Sequence, residues 1–548
     1  MMRKILLTVL LLANIFNASS QCVENSEKKI LLIGDSWAFF MNADATFNNV
    51  LNHWGFTNKE YFSNVTLAVN GAQTEDFLTE ARMTEIQNQL NANPSISVVH
   101  VSLSGNDFLG AWNVDFTPTE TEALSDETYD EIVALTDFIK TVRPGIRIVF
   151  SGYMYANFAE VIDDAAPFET SHPFYGNWES MGFPTFEQLN SMLNDFSDRI
   201  YDLTLSDPQL DFINAPALMQ YHFGQASPLG VDPGGTYPAL FQPLPYGDVT
   251  YPSPKVSMRD YGITRDCFHL SAEGFFTMID FQFQKLYHKL LMDDAYFLAD
   301  SFLENGSISA SGDVSSELKL GQNGGEDFAS ILSFNTTSLA DTVIESASLF
   351  LRREGVVGGN PLGTTLTLRM KSGVLGSSVN VDADDFSDEG DIMEAACVFG
   401  LSSENSEWIR IDLPESFLPF ISNDNITQFA LLIADASGEQ IIFTSGDDPE
   451  FAPVLNVKYK SAFANLNELA DANSLELIVY PNPATNQLSL LNVKGEISSI
   501  EIIDLQGKVV KTRSGNNTNI SLDDLDAGHY FVRVYTNEGA AVSQFIKK

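Results

Sequence analysis

The residues equipped for chemistry are a serine and, far downstream, an aspartate and a histidine. Ser36 follows Gly34 and Asp35 directly after the apolar run Ile30 to Ile33. Such a run reads as a buried strand, and a serine at a strand-to-helix junction is lifted out of the sheet into a crevice. A serine hydroxyl is a poor nucleophile at neutral pH unless a base lies beside it. Asp266 and His269 stand three residues apart, close enough to share one turn. The carboxylate can then hold the imidazole in the tautomer that accepts the serine proton. The chemistry implied is nucleophilic attack on an acyl carbon.

The elements that must position these groups alternate in type. Strands are expected at Ile30–Ile33, Thr66–Val69, Ser97–Ser102, Ile146–Ser151 and Leu210–Ile213. Helices are expected at Thr74–Asn91, Asp126–Val142, Phe186–Leu205 and Ala272–Leu291. This alternation predicts a parallel sheet with helices on both faces, whose ligands bind at the carboxyl ends of the strands. Ser36, Gly71 and Asn106 each come just after an expected strand.

Gly34-Asp35-Ser36, Gly71, Asn106 and Asp266 with His269 resemble, in order, the four blocks of the SGNH (GDSL-type) hydrolases, over roughly Lys29 to Leu290. The resemblance implies a three-layer, flavodoxin-like α/β domain. It makes Ser36 the nucleophile, His269 and Asp266 the base and its partner, and Gly71 and Asn106 oxyanion donors. Two positions depart from the usual pattern: Trp37 stands where Leu is common, and Ser104 precedes Gly105-Asn106-Asp107 where Gly is usual. Preorganised donors at the developing oxyanion lower the barrier by a few kcal/mol each, on the order of magnitude known for such sites. Gly71 is expected to let the backbone approach closely, Asn106 to offer its amide and Ser36 its N–H. Asp35 is expected to bond the turn around Ser36, and Asp107 to cap the helix near Phe108. His53, His100, His172, His222 and His288 show no metal-ligand spacing, so neither metal nor cofactor is expected.

The chain of 548 residues is long enough for several domains, and its net charge of −43, with only 30 Lys and Arg, argues against nucleic acid and anionic membrane surfaces. Residues 1–20 read as a signal peptide: Arg3 and Lys4, an apolar run to Ile15, then Ala18-Ser19-Ser20. No later stretch is apolar enough to span a bilayer. Cys22 also raises a lipoprotein alternative, although Gln21 does not suit a lipobox. Three cysteines, Cys22, Cys267 and Cys397, make no disulfide framework, and the latter two read as buried packing residues.

The hydrolase-like domain is expected over residues 21–300, with two long connections, Tyr153–Trp178 and Ser227–Arg265, overhanging Ser36. Their aromatic side chains would stack on sugar, bury an acyl or aryl group, or form a satellite core. Residues 301–316 read as a linker. Residues 317–460 hold short alternating runs that predict a β-sandwich. The stretches ILSFNTTSL, IESASLFLRR and APVLNVKY are similar to DNRLRE or carbohydrate-binding-like modules, which implies a polysaccharide-binding or spacer role. Asp382–Asp391 within it reads as a solvated acidic loop. A second linker is expected at 461–474. Residues 475–548, with VYPNP, IEIIDLQGKVV and LDDLDAGHYFVRVY, resemble the C-terminal sorting domain of type IX secretion, which implies that export machinery as a partner and a secreted or cell-surface location. The fold expected is thus an α/β hydrolase domain followed by two all-β domains.

The function expected is a secreted serine esterase acting through an acyl-enzyme, with polysaccharide O-deacetylation as the substrate reading. The alternatives are a lipase or lysophospholipase, a non-catalytic surface binding protein on a hydrolase fold, and acyl transfer to an alcohol.

Overall fold

A computed structural model describes residues 22, 24–224, 243–299, 304–340, 342–400, 403–423, 425–434, 436–461, 477–491, 497–504, 509–515, 518–536 and 539–548. The expected signal peptide, most of the expected linker at 461–474 and part of the 227–265 connection lie outside the described residues.

The first unit is built on five parallel strands: β1 (Glu27–Gly34), β2 (Lys59–Phe62), β3 (Val98–Ser102), β4 (Arg147–Phe150) and β5 (Leu210–Phe212). They stand in the order β2-β1-β3-β4-β5. Strand β1 is apolar without a break because both its faces are covered. Ile30 and Leu32 enter the core beneath the helices Ser36–Ala43, Thr46–His53 and Ala272–Gln282. Leu31 and Ile33 enter the opposite core, against Glu80–Ala92, Pro118–Val142 and Phe186–Ser206. The Pro118–Val142 helix starts earlier than its apolar periodicity indicates, because Thr117 and Glu120 close a capping box around Pro118. In this strand order the chain leaves β1 to one side and β3 to the other, so a crevice opens at their carboxyl ends.

One expected strand is not there. Residues 66–69 form no strand; their only ladder contact is the single bridge between Gly34 and Ala68. The side chain of Asn64 accepts from the Thr66 and Leu67 amides and turns the chain at this point. The edge strand is instead β2, hidden in the sequence by Lys59 and Glu60.

The second unit is antiparallel. Its strands include Glu326–Asn335, Thr342–Val357, Leu366–Met370, Trp408–Asp412, Ile426–Ile433, Gln440–Phe443 and Val454–Ser461, around a core of Leu332, Leu349, Ile411, Phe429 and Val457. Two sequence expectations are corrected here. The stretch read as a linker carries strands Gly306–Ser309 and Val314–Ser315, and the first is wholly buried. Its small residues are there because the backbones run close: a Cβ on Gly306 would lie 2.4 Å from the Ser315 carbonyl. The acidic run holds a short helix, Ala383–Ser387, with Asp382 and Asp385 in a capping box and Asp385 buried.

The cysteine reading is corrected as well. Cys22 and Cys397 form a disulfide, 375 residues apart in sequence. Neither element around them is cysteine-rich, so the pair has no local spacing to betray it. The bond also occupies the sulfur to which a lipoprotein would attach its diacylglyceryl group as a thioether. It is one of several ties between the first two units. Strand Ala295–Leu298 pairs with Val454–Val457 of the sandwich. Trp54 stacks on Trp408 with centroids 5.4 Å apart. Arg410, nearly fully buried, donates to Glu24 and Asn58 at 2.6 Å each. Burial of such aromatic faces is worth on the order of a few kcal/mol and makes the two units one body.

The tail has its own core, including Leu488, Ile500, Ile520, Val532 and Phe545, between a three-stranded and a four-stranded antiparallel sheet. Among the described residues no helix is long and apolar enough to cross a membrane.

Candidate active site

Strand β1 delivers Ser36 through a turn that only glycine permits. A Cβ on Gly34 would fall 2.1 Å from the carbonyl oxygen of Ser102 on β3. The chain then enters the Ser36–Ala43 helix, with Asp35 as N-cap accepting from the Trp37 amide at 2.9 Å. Ser36 is therefore the first residue of a helix, and the first-turn N–H groups of a helix have no intrahelical partner.

The downstream pair arrives on strand Thr264–Leu270. Asp266 is buried and folds its own backbone: Oδ1 accepts from the Phe268 and His269 amides at 2.9 Å each. Its Oδ2 lies 2.8 Å from His269 Nδ1, and His269 Nε2 lies 2.7 Å from Ser36 Oγ. With Nδ1–H donated to the carboxylate, the Nε2 lone pair faces the serine hydroxyl. Phe40 and Phe268 flank the imidazole at 4.8 and 4.3 Å between centroids, and Arg259 lies over Phe40 at 4.2 Å. The ring is thus wedged in place by packing as well as by its carboxylate.

The oxyanion side is less open than the sequence implies. Asn106 stands beside Ser36, but its Nδ2 donates to the Ala72 carbonyl at 2.9 Å and reaches Asp35 Oδ2 at 3.4 Å. The second contact is long and weak. Gly71 is glycine for its backbone, at φ +76°, rather than for close approach: nothing lies within 4 Å of where its Cβ would be. Ser36 and Asn106 share the walls of one cavity, and Gly71 is not among the residues that line it. Ser104, at the position where Gly is usual, holds φ +101° and is buried. This is a strained left-handed backbone for a residue with a Cβ, placed directly before the residue pair that aims Asn106.

Two acidic residues differ in role from a plain turn and cap. Asp35 bonds its turn as expected. It also accepts from the Tyr153 hydroxyl at 2.5 Å, and burial pushes its carboxyl up to about 7. Burial, followed by the neighbouring Asp35 charge, raises the Tyr153 phenol well above its ordinary value. Tyr153 reaches this position because Gly105 has no side chain; a Cβ there would sit 2.7 Å from the ring. Asp107 does not cap the helix Gly105–Ala111, whose N-cap is Ser104; its carboxylate instead accepts from the amide and hydroxyl of Thr74. This ties the third motif block to the segment after Gly71. The Asp35–Tyr153 pair is not evident in the sequence, since Tyr153 opens a connection whose other aromatics give it no distinction.

Those other aromatics mostly form a satellite core. Phe158 and Phe174 pack on Phe268 at 5.9 and 5.0 Å, while Tyr155 is fully buried and donates to Asn194 and the Tyr246 carbonyl. Cys267 is buried, and burial pushes its thiol far up, so it is packing rather than a nucleophile. His100 is buried in β3 with Nδ1 2.8 Å from the Tyr287 hydroxyl. Among the described residues no group of three or more His, Cys, Asp or Glu is arranged to hold a metal ion.

Residues 478–548 match the family model of the secretion system C-terminal sorting domain. The chain thus carries an export tail of the type IX kind, which marks it for the cell surface or release. No curated protein matches the chain. Among solved structures, a GDSL-like lipase from Bacteroides thetaiotaomicron is 15% identical, with 51% of this chain and 96% of that one covered at a TM-score of 0.28. A family 3 carbohydrate esterase from Clostridium thermocellum is 14% identical, covering 48% of this chain and 99% of that one at 0.27. The periplasmic domain of a lipopolysaccharide acetyltransferase from Salmonella ser. Paratyphi A is 17% identical, covering 49% and 86% at 0.27. Likenesses this distant carry no argument about reaction or substrate.

Proposed function

We propose that the chain is an exported serine hydrolase of carboxylic esters. The observation that supports this most directly is the unbroken series Ser36 Oγ, His269 Nε2, His269 Nδ1, Asp266 Oδ2, with both links under 3 Å at 2.7 and 2.8 Å. Ser36 Oγ attacks the ester carbon while His269 takes its proton. The oxyanion is met by the Ser36 N–H and the Asn106 amide; Gly71, expected from the sequence as a donor, is not among the residues that line the cavity beside Ser36. His269 then protonates the departing alcohol, leaving an acyl group on Ser36. Water, deprotonated by His269, attacks that ester; the carboxylic acid leaves and Ser36 regains its proton. Asp266 stabilises the imidazolium in both halves and holds the ring.

The test is Ser36→Ala on aryl acetates together with labelling of the intact protein by a fluorophosphonate. The expected outcome is a loss of at least about 10³-fold in kcat with no label on the variant. Full activity in the variant, or an unlabelled wild type, defeats the reading and leaves a binding protein on a hydrolase fold.

O-deacetylation of a polysaccharide is the finer reading. Its support is the loose likeness of the sandwich strands to carbohydrate-binding modules; the sandwich itself docks at Glu24 and Asn58, beside the amino ends of β1 and β2, the end of the sheet away from Ser36. One observation favours the alternative, an ester with an apolar acyl group: the cavity that Ser36 lines is walled mostly by hydrocarbon and thioether side chains.

A further inference from the structure

We infer that this cavity is an acyl-binding pocket and that the preferred substrates are esters of unbranched acids of medium length rather than acetates. The inference rests on Ser36 being the nucleophile. Ser36 and Asn106 both line the cavity, so an ester carbonyl seated between them places one substituent of the carbon against its walls. Its walls are Phe108, Met154, Leu189, Met192, Leu193 and Phe196. They come from three separate elements: the helix after β3, the loop after β4 and one face of the Phe186–Ser206 helix. A sugar ring needs hydrogen-bonding partners all around its rim; here the polar groups Asp35, Ser104, Asn106 and Tyr153 gather beside Ser36, and away from them Asn190 is, among the described residues, the one polar side chain between apolar walls.

The pocket is a built feature. Phe108 meets Phe196 edge to face at 4.8 Å and closes one side. Asn190, fully buried, donates from Nδ2 to the carbonyls of Val249 and Tyr251 at 3.0 and 2.8 Å, which pins the helix that carries four of the walls. Size limits the occupant. The cavity measures about 70 Å³. One water occupies roughly 10–15 Å³, so the space exceeds that of several waters and admits an acyl chain of several carbons. Acetyl leaves most of this unfilled, and palmitoyl overruns it. Met154 and Met192 give the walls some adaptability, so neighbouring lengths fit as well.

The experiment is a chain-length series of p-nitrophenyl esters, from acetate through hexanoate to palmitate, on the full chain and on Leu193→Trp, whose indole fills the pocket. The wild type is expected to gain about tenfold or more in kcat/KM from acetate to hexanoate and to lose it again by palmitate. In Leu193→Trp the hexanoate-to-acetate ratio falls by about tenfold or more; Met192→Trp replaces it if the first variant does not fold. A wild-type profile that is flat or highest on acetate overturns the inference while leaving the serine chemistry standing. If no ester is turned over and no fluorophosphonate label is taken up, the serine reading fails. Calorimetry of methyl hexanoate with Ser36→Ala then decides the pocket by itself. Saturable binding that Leu193→Trp abolishes supports it, and absence of binding overturns it.

Discussion

At the scale of single residues, the site combines groups that are comfortable with groups that are not. Asp35 is the clearest case of discomfort. Burial holds its carboxyl at about 7 against an ordinary 3.8, so between these values the folded chain keeps a proton that the unfolded chain has released. Stability from this group is therefore present at low pH and is lost as pH rises through about 7. Replacing it in Asp35→Asn removes that penalty and slackens the hold on Asn106. Urea melts at pH 5 and pH 8 should show the variant gaining about 3 kcal/mol relative to wild type across that range. Its kcat should fall by about tenfold or more, since Asp35 fixes the turn at the nucleophile. Ser104 is the second strained residue. Ser104→Gly relieves its left-handed backbone and should raise stability by about 1 kcal/mol, read as an increase in Tm.

At the scale of elements, β1 and β3 make the crevice, and their contact tolerates no addition. Gly34→Ala puts a methyl 2.1 Å from the Ser102 carbonyl, so the strands must part. The expected cost is about 3 kcal/mol or more, with loss of fluorophosphonate labelling before loss of the folded state in denaturant titrations. The same elements explain what the sequence made legible. The apolar run ending in Gly34-Asp35-Ser36 could be read because a strand buried on both faces has no polar interruption. The Asp266–His269 spacing could be read because its geometry is local. β2 is hidden because an edge strand carries charges such as Lys59 and Glu60, and residues 66–69 resemble a strand because a short apolar stretch beside a turn has the same composition. The acyl-pocket face of the Phe186–Ser206 helix was hidden too. Its Leu, Met and Phe positions follow the same period as a core face, and only the neighbouring loops decide that the space beside them stays open.

At the scale of the whole molecule, the sandwich is part of the body that holds the site. His288 lies in the seam with Trp408 at 4.9 Å and Phe350 at 6.3 Å, and burial lowers it to about 3. Here the unfolded chain takes up the proton first, so stability from the seam is present above about 6.5 and is lost as pH falls toward 3. In His288→Phe the pH slope of unfolding in that window should shrink by about 1.4 kcal/mol per unit, measured by denaturant melts at pH 4, 5 and 6. None of these ties could be read in the sequence. The partners Cys22 and Cys397, or Trp54 and Trp408, are separated by all or most of the first unit, and the small residues of 304–316 read as slack chain although they are packed strand.

The bond between Cys22 and Cys397 has one more implication, for the order of events during export. Cys22 must wait unpaired until a segment 375 residues behind it has emerged and folded. Closure requires an oxidising space in which both partners are present together. The bond is thus a time stamp: protein recovered with both thiols alkylatable was intercepted before that compartment, and protein refractory to alkylation has passed through it.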